Sequence, residues 1–305
     1  MDKDFFKQTR ILDGGMGQEL LAKGLISKGT LWSASALLDK QFHQLVVDVH
    51  LSFINAGAEV ILTNTFSARK IRLIQNNVEE RFNYVNEQAC LLAIKAKELS
   101  KKNILIAGSL PSQTDTYIED NRESKLIKKD FYDQAKIISP YIDFFYLDVI
   151  SSGKEIDIAS NVAAKLNKPV LVGIHLKKNN LLPSGETITS IVKKYKDNNW
   201  LGIISACVSP EIVENSAAEI SKLNIPFGFK VNLWKVDEPT PVQTFNTAKP
   251  NEIGTNPNIA LGKREDISGK LFYEFSEKIM TKGANILGGC CETKPEHIKE
   301  ISNLK

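Results

Sequence analysis

Short apolar runs alternate along the chain with longer stretches in which apolar residues recur every three or four positions. The runs lie at 11–16, 58–65, 104–110, 144–150, 169–176, 201–208, 226–232 and 284–290. Each is bounded by polar residues, Gly or Pro, a pattern typical of parallel strands that are buried on both faces. Amphipathic helices are predicted between them at 41–55, 162–166, 188–195, 212–223 and 271–280.

Eight strand–helix units in this order predict a (β/α)8 barrel, organised as a single domain over residues 1–305. An open, doubly wound sheet is the alternative, and the number eight favours the barrel because this fold closes at eight strands. Barrel enzymes assemble their active sites at the C-terminal ends of the strands, so we expect the polar residues found there to converge. These residues are Asp13, Gly14, Gly15, Thr63, Asn64, Thr65, Gly108, Ser109, Asp148, His175, Cys207, Asn232, Cys290 and Cys291.

Two connections are unusually long, 111–129 and 234–264, and both follow a predicted strand. They therefore lie on the face where the active site is expected. A long loop in a compact domain is functional or a plain surface loop, and we interpret these two as a cover for a substrate.

Composition and charge narrow the class of protein. Apolar residues make up 42% of the chain and charged residues 25%, which is typical of a soluble globular protein. The formal net charge of +3 is too small to indicate nucleic acid or an anionic membrane as a partner. No apolar run is long enough to span a bilayer, and residues 1–15 lack the apolar region of a secretory signal. We therefore expect a cytoplasmic protein whose cysteines are free thiols or metal ligands.

Three of the four cysteines fall at predicted strand ends. Cys290 and Cys291 are adjacent, and adjacent residues of a regular strand point to opposite faces, so both bind one ion only if the backbone bends. Gly288 and Gly289 precede them and permit such a bend. With Cys207 they would give three thiolates and one open position, the pattern of a catalytic zinc site. Core packing is the alternative for all three.

The expected chemistry follows from the pKa of a thiol. A free thiol has a pKa of about 8.5 and is mostly protonated at neutral pH, whereas a thiol at the open position of the metal is deprotonated. Such a site would activate an incoming thiol as a nucleophile. Cys90, in the stretch QACLLAIKAK, is predicted to be a core residue.

Several segments resemble the homocysteine S-methyltransferase family. GGCC followed by TKPEHI at 288–298 resembles its C-terminal signature, and ISACVSPEIV at 204–213 resembles the segment with its first zinc cysteine. ILDGGMGQEL at 11–20, LWSASALL at 31–38, INAGAEVILTNTF at 54–66 and AGSLPS at 107–112 agree in the same order. The resemblance implies a (β/α)8 barrel that transfers a methyl group to the thiol of homocysteine, forming methionine. It implies zinc as the cofactor, bound by Cys207, Cys290 and Cys291.

The resemblance also implies where the amino acid binds. Asp13 would meet the substrate ammonium, with Gly14 and Gly15 in the same turn. The remaining expected substrate-binding residues are Thr65, Ser109, Asp148 and Asn232. The chain departs from the family at four places: Asp148-Val149 replaces Glu-Thr, Ala206 replaces Asn, Lys230-Val231 replaces Tyr-Pro, and Glu292 replaces Gly. A diverged thiol acceptor, or a non-catalytic zinc or amino-acid-binding barrel, is therefore kept as an alternative, as is a metal-free barrel lyase or aldolase.

LWSASALL is closer to the family branch that uses S-methylmethionine or S-adenosylmethionine than to the betaine branch, although betaine and dimethylsulfoniopropionate stay open as donors. All are cations, and cations favour aromatic faces. Trp32, Phe66 and Tyr117 are predicted to form the donor pocket, with simple packing as the alternative. The expected partners are these small molecules, and a homo-oligomer is left open.

Overall fold

The computed structural model describes residues 4–196 and 199–305, and within them eight parallel strands alternate with helices. The strands are β1 (Arg10–Ile11), β2 (Val60–Leu62), β3 (Leu105–Pro111), β4 (Phe144–Ile150), β5 (Val170–Ile174), β6 (Trp200–Val208), β7 (Phe227–Val231) and β8 (Ile286–Gly289). The helices are α1 (Met16–Ala22), α2 (Ser35–Leu38), α3 (His43–Asn55), α4 (Lys70–Gln75), α5 (Phe82–Ser100), α6 (Ser124–Ile138), α7 (Gly153–Lys165), α8 (Ile188–Tyr195), α9 (Pro210–Ile220), α10 (Pro257–Leu261), α11 (Gly269–Met280) and α12 (Pro295–Ser302).

The strands form a barrel, as the sequence predicted. Each strand from β2 to β8 pairs with the next one in parallel, and β1 pairs with β8. The seam between β1 and β2 is closed by hydrogen bonds from Glu59 N–H to Ile11 O (2.8 Å) and from Asp13 N–H to Val60 O (3.0 Å). These bonds exclude the open sheet that was the alternative.

Two apolar layers follow from the alternation of side chains along each strand. In β4, Phe144 and Tyr146 pack inside the barrel, whereas Phe145 and Leu147 pack outward under the helices. Phe6, from the N-terminal segment, contacts Phe144 inside the barrel with ring centroids 5.6 Å apart. The interior is therefore packed, and the room for a ligand lies at the rim.

Side-chain caps begin several of the helices that leave this rim. Ser152, Thr187, Ser209 and Ser268 each accept a hydrogen bond from the backbone N–H three residues later. Such caps satisfy backbone donors that the first helical turn leaves unpaired. They fix where the chain turns from each strand end into its helix.

The five predicted helices are all present, but α7 begins at Gly153, well before the predicted 162. The sequence analysis did not predict α5 or α6, and α6 takes up the end of the predicted 111–129 loop. Among the described residues, no helix is long and apolar enough to cross a membrane. The cytoplasmic location stays a prediction.

Candidate metal centre and pocket

Three thiols meet at the C-terminal rim of the barrel. The Sγ atom of Cys291 lies 3.8 Å from that of Cys207 and 4.0 Å from that of Cys290. All three Sγ atoms lie within 4.8 Å of one another. Two Zn–S bonds of about 2.3 Å at a tetrahedral angle place their sulfurs roughly 3.8 Å apart. The donor set and its spacing therefore fit a zinc ion.

A bulge in β6 aims Cys207 at the other two thiols. The pairing register between β6 and β7 shifts between Ala206 and Val208, and Cys207 has a φ of 52°. Asn232 holds this bulge, since its Nδ2 donates to the Cys207 carbonyl at 2.7 Å. A bulge re-aims a side chain in this way at the cost of local backbone strain.

The bend that the adjacent cysteines require is present, but the glycines do not make it. Neither Gly288 nor Gly289 has a positive φ; the left-handed residue is Glu292, at 64°. The glycines serve close packing, since a Cβ on Gly289 would lie 2.0 Å from Oγ1 of Thr293. That part of the sequence interpretation was wrong, because an absent side chain signals a close approach as readily as unusual dihedrals.

The three thiols interact electrostatically as well. The pKa of Cys207 lies well below its ordinary value because of hydrogen bonds with Cys290 and Cys291. The pKa of Cys290 and that of Cys291 are raised, chiefly by their hydrogen bonds with Cys207. The cluster by itself therefore favours one thiolate, and a divalent cation would be needed to keep all three ionised.

A pocket opens beside the thiols. Of the residues predicted to bind the substrates, eight line it: Asp13, Gly14, Gly15, Trp32, Phe66, Ser109, Tyr117 and Asp148. Thr65 and Asn232 do not, and both are fully buried. Thr65 Oγ1 donates to the Ser109 carbonyl at 2.6 Å, and Asn232 holds Cys207. Both side chains support the pocket wall from behind, and a direct role for them in binding substrate stays a prediction.

Asp148 reaches the pocket through a second bulge. The register between β4 and β5 shifts after Leu147, and Val149 has a φ of 62°, which is strongly disfavoured for a β-branched residue. Ser109 Oγ donates to Asp148 Oδ2 at 2.6 Å. Burial raises the pKa of Asp148 to about 7. The carboxyl group is thus poised to change charge near neutral pH.

Asp13 has a partner that the sequence analysis did not predict. Lys230 Nζ lies 2.6 Å from Asp13 Oδ1, and both side chains are almost fully buried. Lys230 departs from the family pattern, and the sequence analysis does not predict it as a site residue. The signal in the sequence is a lysine within the apolar strand FGFKV, since a lysine is rarely buried unless it is paired.

The aromatic side chains predicted to bind the donor line one wall of the pocket. Trp32 and Phe66 meet edge to face, with ring centroids 6.3 Å apart. The Tyr117 hydroxyl lies 3.2 Å from Cys207 Sγ, so this residue belongs to the metal centre as much as to the wall. Arg69, which sequence reasoning missed, lies over the Phe66 ring with its guanidinium carbon 4.9 Å from the centroid.

The two long loops cover the pocket. Thr116 and Tyr117 line it from the first loop, and Trp234, Phe245 and Leu261 are among those from the second. The loops are tied together, because Asp115 Oδ2 accepts the N–H of Gln243 at 3.1 Å. Their position agrees with the interpretation as a cover.

Comparisons with known proteins agree with this geometry. A family model described as homocysteine S-methyltransferase matches residues 10–304. Homocysteine S-methyltransferase 1 of Brassica oleracea var. italica is 23% identical, over 96% of this chain and 92% of the relative. Betaine–homocysteine S-methyltransferase 1 of Bos taurus is 25% identical, over 95% of this chain and 70% of the relative. The metallated form of the homocysteine methyltransferase MmuM from Escherichia coli has the same fold, with a TM-score of 0.78, 18% identity and full coverage of both chains.

Proposed function

The chain belongs to the homocysteine S-methyltransferase family, and we propose that it transfers a methyl group from a small onium donor to homocysteine, forming methionine. We propose zinc as the cofactor, held by Cys207, Cys290 and Cys291. The observation that carries the proposal is the cluster of three thiols at the spacing of zinc ligands, beside a pocket at the barrel rim.

The contacts indicate the role of each group at the metal centre. Cys207, Cys290 and Cys291 would hold the zinc ion, which would lower the pKa of an incoming thiol and keep its sulfur nucleophilic. Asn232 holds the Cys207 bulge, and Tyr117 packs on His175 with ring centroids 4.6 Å apart while its hydroxyl reaches Cys207. These residues fix the thiols at the edge of the pocket, where a donor methyl group could be aligned with the sulfur of an acceptor.

The donor wall fits a molecule that carries both a cation and a carboxylate. The faces of Trp32 and Phe66 suit a sulfonium or quaternary ammonium group. Beside them, Trp32 Nε1 and Arg69 Nε are buried without a hydrogen-bond partner among the described residues. Buried donors of this kind call for an acceptor, and a donor carboxylate would supply it. S-Methylmethionine, S-adenosylmethionine, dimethylsulfoniopropionate and betaine all have both groups.

Metal analysis and turnover test the proposal together. Purified reduced protein should hold about one zinc per chain and methylate homocysteine with at least one donor of that panel. Cys207→Ala should lose both the metal and the activity. Cys90→Ala is the matched control, because Cys90 is buried in α5 away from the cluster and should keep both. Full zinc retention in Cys207→Ala, or a zinc-loaded wild type that methylates no thiol, would overturn the proposal.

A further inference from the structure

Lys230 is a buried cation at the centre of the candidate site. It lies in β7 between Phe229 and Val231, and its side chain is 4% exposed. Its Nζ donates to Asp13 twice, to Oδ1 at 2.6 Å and to the main-chain oxygen at 2.9 Å. A lysine is rarely buried unless it is paired, and an ammonium has three donors, of which Asp13 uses two. Lys230 also lines the pocket, so its third N–H can meet a ligand.

This contact changes what Asp13 can bind. Its Oδ2 accepts the N–H of Leu62 at 2.7 Å, and its Oδ1 is held by Lys230, so both carboxylate oxygens have partners. A substrate ammonium at Asp13 would have to share this carboxylate with a buried ammonium that is already in place, and the two like charges would repel each other. Lys230 thus occupies the position at which the sequence predicted the ammonium of the acceptor.

The other carboxylate of the pocket is differently placed. Among the described residues, the hydrogen-bond partner of Asp148 is Ser109, which donates to Oδ2. Its Oδ1 is free to accept from a ligand, and Asp148 lines the same pocket as Lys230. The two side chains are close enough for the charge of Lys230 to act on Asp148. One carboxylate oxygen and one ammonium N–H, each without a hydrogen-bond partner among the described residues, therefore belong to side chains that line the same pocket.

We propose that Lys230 is a specificity-determining residue, whose ammonium receives the α-carboxylate of the acceptor while Asp148 receives its α-ammonium. Asp13 then acts as a positioning residue that fixes Lys230. The pair of opposite charges would select a zwitterionic amino acid thiol over thiols that have only one of the two groups. This inference rests on the proposed function, since it takes homocysteine as the acceptor.

Binding of three thiols to the zinc-loaded protein, measured by titration calorimetry without a methyl donor, tests the proposal. The probes are L-homocysteine, 3-aminopropane-1-thiol, which lacks the carboxylate, and 4-sulfanylbutanoate, which lacks the ammonium. Charge-assisted hydrogen bonds predict that wild type binds homocysteine about 10- to 100-fold more tightly than either analogue. In Lys230→Met the preference over 3-aminopropane-1-thiol should fall to near one, while the preference over 4-sulfanylbutanoate remains. Asp148→Asn should show the reverse pattern.

The double variant Lys230→Met/Asp13→Asn removes the unpaired buried charge that the single variant leaves, and it should show the same selectivity as Lys230→Met. Zinc content and the retained preference over 4-sulfanylbutanoate show that the two Lys230 variants are folded, and zinc content shows it for Asp148→Asn. The proposal is overturned if Lys230→Met or the double variant keeps the wild-type preference over 3-aminopropane-1-thiol, or if wild type has no such preference. Failure of the zinc-loaded wild type to bind homocysteine at all would instead contradict the proposed function.

Discussion

Residues with left-handed backbone conformations surround the candidate site. Trp32, Tyr117, Val149, Cys207 and Glu292 all have a positive φ, and none is Gly or Asn. Each such conformation costs on the order of 1–3 kcal/mol, which the surrounding packing must offset. The strain is concentrated where side chains must leave their regular directions to reach the pocket. Regular strand ends would not bring these side chains to the pocket, so the strained conformations are part of how the site is formed.

The same residues show how far the sequence could predict the site. The thiols could be found because cysteine is rare and its chemistry is specific. The bulges at Val149 and Cys207 could not, since neither position carries the Gly or Asn that usually marks a positive φ. The pairing of Lys230 with Asp13 depends on two strands, β7 and β1, that meet only across β8.

Asp148 gives the first prediction at this scale. Burial raises its pKa to about 7, and the groups that act on it include Ser109, Lys230, Cys207 and Asp13. Below that pH it is a neutral acid, which attracts an ammonium poorly. The apparent Kd of L-methionine, whose thioether does not titrate, should therefore rise about tenfold between pH 8 and pH 6. Calorimetric titrations across this range measure it.

Asp148→Asn is the control for that measurement, because it keeps the shape and removes the titration. Its Kd for methionine should be weaker at pH 8 and nearly independent of pH. Any loss of metal at low pH would appear in both proteins and can be subtracted. An equal pH dependence in wild type and Asp148→Asn would show that Asp148 does not hold the ammonium.

The strands were predictable as elements and some helices were not. Each strand is a short apolar run, because it is covered on both faces, and every predicted run overlaps an observed strand. Helix α6 is different: it opens with Ser124 and several lysines, and it buries mainly Ile127, Phe131 and Ile138. Because so few apolar residues are spread among so many charged ones, the sequence pattern did not indicate an amphipathic helix here. The two long loops could be located from their length alone. Their contacts with each other could not be predicted, because they form only once the barrel is closed.

Asp115 provides a prediction about these loops. It forms a buried ion pair with Arg72 at 2.6 Å and accepts the N–H of Gln243 from the other loop. Asp115→Ala should lower the free energy of unfolding by about 3 kcal/mol, because it leaves a buried guanidinium unpaired. Amide exchange in the segment 240–250 should become faster, while zinc content stays unchanged. Denaturant unfolding and hydrogen exchange by mass spectrometry check both effects.

Asp266 offers the matched control. It also pairs with an arginine, Arg264 at 2.8 Å, but its side chain is 64% exposed. Asp266→Ala should change stability by less than about 1 kcal/mol and leave exchange at 240–250 as in wild type. If Asp115→Ala behaves like this control, Asp115 does not tie the two loops together.

At the scale of the whole molecule, the barrel brings together residues that are far apart in sequence. Cys207 and Cys291 are 84 positions apart, and β7 lies between their strands. Neighbouring strands are about 4.8 Å apart, so two regular strands in these positions would hold their backbones roughly 10 Å apart. The bulge at Cys207 and the bend after Gly289 bridge that gap. The thiols thus link the end of β6 to the end of β8 across β7.

The last prediction follows from this connection. A zinc ion bound by Cys207, Cys290 and Cys291 would join β6 to the end of β8, and a ligand that binds only the folded state stabilises it by mass action. Free zinc at about a thousand times its Kd adds roughly 4 kcal/mol, which for a chain of this size corresponds to an increase in Tm of about 6 °C. Differential scanning calorimetry of the chelator-treated protein, before and after zinc is restored, measures the shift. Cys290→Ser should melt at one temperature with or without zinc, whereas Cys90→Ser should retain the full shift. If zinc binds wild type stoichiometrically and leaves its Tm unchanged, the ion binds the unfolded chain as tightly as the folded one, and the three thiols do not form a site that depends on the barrel.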